Sequence, residues 1–134
     1  MRDAVTEARR AAAERRGRQD ASARAWADVL DRVVLPLSHQ MVQALKAEGH
    51  AVQIVTPAGV VRIGVESRPD DFVELLLQAD GDDVAIVGRV SRSHGRETLV
   101  EERALVHGAA AVEALAEEQV VEFVATALAG ILVR

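Results

Sequence analysis

The chain has 134 residues, 49% apolar but only 2% aromatic, with a formal charge of −5 and no cysteine. That is the length of one ordinary domain, able to bury roughly two-thirds of its unfolded surface without a metal or a disulfide. The missing cysteines exclude a disulfide scaffold, a thiolate metal site and a cysteine nucleophile, and the setting expected is a reducing cytoplasm. The charge is uneven: residues 1–32 hold eight Arg against six acids, and the remainder eight basic residues against fifteen acids. An acidic body of this kind repels nucleic acid unless a local basic patch wins.

The start, "MRDAVTEARR", lacks the apolar core of a secretory signal. Asp3, Glu7 and Glu14 argue against an organelle transit peptide. Residues 1–18 favour helix by propensity, yet after Met1 the only large apolar side chain is Val5. They read as a solvated, frayed helix or a disordered arm, with Gly17 marking the break. Residues 19–134 read as a single α+β domain.

An amphipathic helix is predicted over residues 22–48. Trp26, Leu30, Val33, Leu37, Met41 and Ala44 or Leu45 recur at steps of three and four. Pro36 lies in the middle, so the helix is expected to kink near residues 32–35 or restart with Pro36 in its first turn. Gly49 is the expected C-terminal cap.

The period then changes to two. "HAVQIVT", "VVRIGVES", "FVELLLQA", "VAIVGRV" and "ETLVEERALV" read as five strands. "PAG", "RPDD" and "DGDD" read as turns between them, and "SRSHG" as a longer loop. Short connections favour an antiparallel meander with one dry face, because parallel pairs need long crossovers. The fifth strand carries charge on both faces, which suits a sheet edge. "HGAAAVEAL" reads as one helical turn or a loop. A last helix starts near Ala116, with Glu117 and Glu118 at its dipole-favoured first turn. Its main apolar stripe is expected to be Val121, Val124, Leu128, Ile131 and Leu132. The charge-free run from Phe123 to Val133 is too short to span a membrane. It is expected to pack on the sheet, and no membrane partner is expected.

No catalytic constellation appears. His39, His50, His94 and His107 show no close metal-ligand spacing, and no Ser lies in a nucleophile elbow. There is no phosphate-binding glycine motif. Neither a metal nor a cofactor is predicted. Asp70, Asp71, Asp80, Asp82 and Asp83 sit in two predicted turns that the fold would have to bring together to make even a weak cation site. Glu101 and Glu102 alternate along a strand, so they point to opposite sides and do not make an acid/base pair.

What remains points to association. Trp26, Leu30, Leu37, Val120, Phe123 and Ala127 form the expected self-association or partner face, beside the main core stripes. The reading is a non-enzymatic interaction module: an adaptor, chaperone-like or accessory protein, homodimeric, with a further unidentified protein partner. One alternative is non-specific nucleic-acid binding through Arg9, Arg10, Arg15, Arg16 and Arg18, an arm without aromatics for base stacking. It would gain if Arg89, Arg92 and Arg96 faced the same way. The other alternative is a small ligand-binding domain with a pocket between sheet and helices. In size, acidity and mixed α/β character the chain resembles bacterial secretion chaperones. In helix–sheet–helix order it resembles small nucleoid-associated proteins. Both are likenesses of class.

Overall fold

The computed structural model describes residues 2–80 and 83–133. Helix α1 (Arg2–Val29) passes through a π-helical turn (Leu30–Val34) into α2 (Leu35–Ala47). Five strands follow: β1 (Val52–Val55), β2 (Val60–Val65), β3 (Arg68–Asp80), β4 (Asp83–His94) and β5 (Glu97–His107). A single turn, α3 (Ala109–Val112), leads to α4 (Glu117–Leu132). The strands form one antiparallel sheet in the order β1-β2-β3-β4-β5. The fold is therefore α+β, with helices on one face of a meander.

The proline break is solved by widening the helix. Pro36 has no N–H, and its ring would crowd the carbonyl of Arg32 in an ideal α-helix. The π turn spreads that segment, the Leu35 N–H bonding back to the Leu30 carbonyl. Pro36 then falls in the first turn of α2. Gly17, by contrast, does not end a helix. α1 runs through it unbroken for 28 residues, about 42 Å. A glycine inside a helix costs about 1 kcal/mol against Ala, too little to stop strong helix formers on either side.

Two turns lie elsewhere than the sequence suggests. The chain reverses at Glu66 and Ser67, not at "RPDD". Val65 pairs with Arg68 and Gly64 with Phe72, so Pro69, Asp70 and Asp71 bulge out of the β2 ladder. Proline suits such a bulge because it has no N–H to offer a ladder. The bulge is stitched to β4. Asp71 Oδ1 accepts from the Ser93 N–H at 2.6 Å and from Ser93 Oγ at 2.8 Å. Arg68 lies 3.1 Å from Asp71 Oδ2, and Ser91 Oγ donates to the Asp70 carbonyl at 2.7 Å. Likewise "SRSHG" is no loop: β4 runs to His94, and only Gly95 and Arg96 make the turn, Gly95 supplying a φ of +64°. Residues 81 and 82 of the predicted "DGDD" turn lie outside the described residues, between the paired Asp80 and Asp83.

The core lies between the sheet and the helices. Val61, Ile63, Val73, Leu75 and Ile86 line the inner sheet face. α2 packs over β1 and β2, and α4 over β3 and β4. Trp26 closes one end, its indole N–H donating to the Gly59 carbonyl at 2.7 Å. Val120, Phe123, Val124, Leu128 and Ile131 of α4 are buried. The stripe is thus rotated from the predicted one: Val121 is 39% exposed, while Val120 and Phe123 turn inward.

Candidate functional site

Helix α4 is pinned at its start and bare along its outer side. Gln119 Oε1 accepts the Ala116 N–H at 2.9 Å, which is half of a capping box, since the Ala116 side chain has no acceptor to return. The other end of the same amide donates to the Leu105 carbonyl at 3.3 Å, tying the helix to β5. Beyond Glu122 the exposed residues of α4 are Ala125, Thr126, Ala129 and Gly130, with no charge among them. Solvent-facing sides of helices are ordinarily charged or polar. Between this side and α2 runs a groove of about 400 Å³, lined by Met41, Ala44, Leu45, Ala125, Ala129 and Leu132. Glu48 and His50 stand among its walls.

A second opening lies on the other side of α4. The helix covers β3 and β4, and leaves a cleft of about 450 Å³ against β4 and β5. Val90, Phe123, Ala127 and Gly130 give it an apolar lining; Arg92, Glu101, Arg103 and Glu122 give it charge. The Arg103 guanidinium sits 5.2 Å from the centre of the Phe123 ring. Arg92 reaches Glu101 only at 3.6 Å.

The outer sheet face carries a charge ladder, one rung per strand. The register places Arg62, Glu74, Arg89 and Glu102 side by side across β2, β3, β4 and β5. Arg62 Nε donates to Glu74 Oε2 at 2.9 Å, and Arg89 donates to Glu74 Oε1 at 2.7 Å and to Glu102 Oε1 at 2.8 Å. Glu74 is only 3% exposed because two guanidinium groups cover it. The Arg89 pKa is raised, chiefly by the hydrogen bond to Glu102, against desolvation and with help from Glu74. Arg62 also lies 4.2 Å from the centre of the Phe72 ring. Alternating charge of this kind lets an antiparallel sheet keep one face in water.

Most of the predicted association face lies inside the single chain. Trp26, Leu30, Val120 and Phe123 are buried in the chain's own core, and Leu37 and Ala127 pack half-buried against it. The helical repeat that selected them marks buried positions, and cannot say whether the burying surface is the same chain or another. Arg9, Arg10, Arg15, Arg16 and Arg18 are all exposed on α1. At a hundred degrees per residue they point all around the helix and make no single basic stripe. Arg10 is held by Glu7 at 3.1 Å, and Arg18 has a partner of its own. Nor do Arg89 and Arg92 share a face: Arg89 belongs to the outer ladder and Arg92 to the inner cleft. Asp70 and Asp71 lie roughly 30 Å along β3 from Asp80, so the two acidic turns do not meet. Among the described residues no three His, Asp or Glu side chains gather as a metal site. Among them, too, no helix is long and apolar enough to cross a membrane.

Glu101 and Glu102 do point to opposite faces, one toward Arg92 and the other toward Arg89. The ladder and the groove between α2 and α4 are the features that sequence reasoning missed. The ladder's signal was present as one charged residue at the same phase of each strand, but its alignment needs the register. No protein-family model, curated protein or solved structure matches this chain.

Proposed function

We propose that this protein is a non-enzymatic protein-interaction module, an adaptor or chaperone-like accessory protein that works as a homodimer in the cytoplasm. The observation that carries the reading is the charge-free outer side of α4 above its groove with α2. Contiguous exposed apolar surface on an otherwise charged protein marks a contact site, and a groove between two helices suits an apolar helical segment. The small side chains Ala125 and Ala129 admit a close backbone approach. Charged α1, with Glu7, Arg10, Glu14 and Arg16 outward, provides the contrast within the same chain. A photo-crosslinking benzophenone residue placed at Ala129 tests this in the cell of origin. It should yield discrete protein adducts, while the same residue at exposed Ala21 should not. Adducts at both positions, or at neither, would remove the groove as a partner site.

The cleft between α4 and β4–β5 favours a second reading, a small-ligand domain. Its mixed lining of Arg92, Arg103, Glu101 and Phe123 suits a zwitterion with an apolar part. A fragment screen by NMR that moved no resonance of Phe123, Thr126 or Arg103 would end it.

A further inference from the structure

We infer that the homodimer forms by two-fold antiparallel pairing of β5 with β5 of a second copy, with Glu102 at the axis. The inference rests on the homodimer reading above and specifies its interface. β5 is the free edge of the sheet and has 11 residues, none of them Pro or Gly. The opposite edge, β1, has only four residues. Leu99 and Val100 of β5 are 47% and 55% exposed. A long edge with exposed apolar side chains is a template for another strand.

Symmetry then narrows the register. A two-fold axis that pairs two antiparallel edge strands stands normal to the sheet, so the helices of both copies lie on one side. Residues directly opposite each other must therefore come from the same face, and the axis must pass midway between one residue and its own symmetry mate. With the axis at Glu102, Glu101 meets Arg103 of the second copy, and Arg103 meets its Glu101. On the outer face, Val100 meets Ala104. With the axis at Glu101 or at Arg103, like charges face each other across it, and no opposite charges pair. With the axis at Val100, Glu97 at the very end of β5 would meet Arg103, but Leu99 meets Glu101 and Thr98 meets Glu102, which leaves both of those carboxylates without a cation opposite.

The charges of the single chain are disposed for this arrangement. Among the described residues no carboxylate lies within salt-bridge distance of Arg103, whose guanidinium is stacked on Phe123. Glu101 is held only at 3.6 Å, by Arg92. Two opposite-charge pairs thus form across the axis on the helix side. Glu102, on the other side, is drawn toward Arg89 at 2.8 Å, away from its symmetry mate. The run from Val100 to Ala104 lies before the β5 bulge, where Val87 pairs with Ala104 but Ile86 with Val106. Five consecutive positions are therefore regular enough to pair.

The natural absence of cysteine makes the test clean. Glu102→Cys should form an intermolecular disulfide on air oxidation, seen as a reducible doubled band, while Val55→Cys on β1 should not. Glu101→Arg and Arg103→Glu should each weaken dimerisation about tenfold or more, since two like-charge pairs then face each other. The double variant Glu101→Arg/Arg103→Glu should restore it to near the starting affinity. These two side chains are exposed, so the swap reports on the interface even if Glu102→Cys folds poorly. A dimer that neither cross-links at position 102 nor responds to the swap overturns the β5 interface and leaves the homodimer standing. A monomer at all concentrations overturns both.

Discussion

Gly88 shows how one position fixes the seat of α4. It pairs with Leu75 on the inner face of the sheet, and a Cβ there would run into the Phe123 ring. The ring in turn lies 5.2 Å from the Arg103 guanidinium and lines the cleft, so packing at Gly88 shapes the cleft as well as the core. Gly88→Ala should cost about 2 kcal/mol or more in urea unfolding, the range for overpacking a filled core. Ala at Gly17, where nothing lies within 4 Å of the added carbon, should instead raise helical circular dichroism and leave urea unfolding nearly unchanged. Little of this is readable beforehand. A glycine between Val87 and Arg89 suggests a close approach, but not what approaches. Glu74 is similar: it reads as the wet side of a strand and is buried by its neighbours' charges instead of by apolar contact.

Elements were legible where a single period ran long enough. The five strands, the proline break and the start of α4 near Ala116 follow from patterning within one segment. The turns at Glu66 and Gly95 did not, because their strands continue through residues that look like turn formers. Asp71 is the clearest case. Its carboxylate takes hydrogen bonds from Ser93, 22 residues away, and no local signal encodes that partner. The two ends of the chain differ in what they bury, and this sets their importance. Residues 2–18 of α1 are exposed apart from half-buried Ala11 and Ala12, whereas the last dozen positions include buried Phe123, Val124, Leu128 and Ile131. Deleting residues 1–18 should lower helical circular dichroism and leave the melting temperature nearly unchanged. Deleting 123–134 should abolish cooperative unfolding and expose dye-binding surface. A truncated chain lacking 123–134 that still melts cooperatively would contradict the placement of α4 as core.

At the scale of the molecule, the fold class was available from the sequence and the candidate surfaces were not. Apolar periodicity identifies the residues that leave water, and four of the six it selected, Trp26, Leu30, Val120 and Phe123, leave it in the chain's own core. The surfaces that matter emerge only after folding: small residues left outward on α4, a helix too narrow to cover β5, and an edge strand whose charges complement its own copy. All three lie around α4 and β5. Chain order does not reveal this, because Glu101 and Ala127 are brought to one cleft only by the last crossover through α3.

The homodimer is the claim on which the functional account turns, and light scattering coupled to size exclusion measures it directly. At high micromolar concentration the mass should approach twice the 14.4 kDa of the chain and fall toward one chain on dilution. A mass of one chain throughout that range would contradict the account.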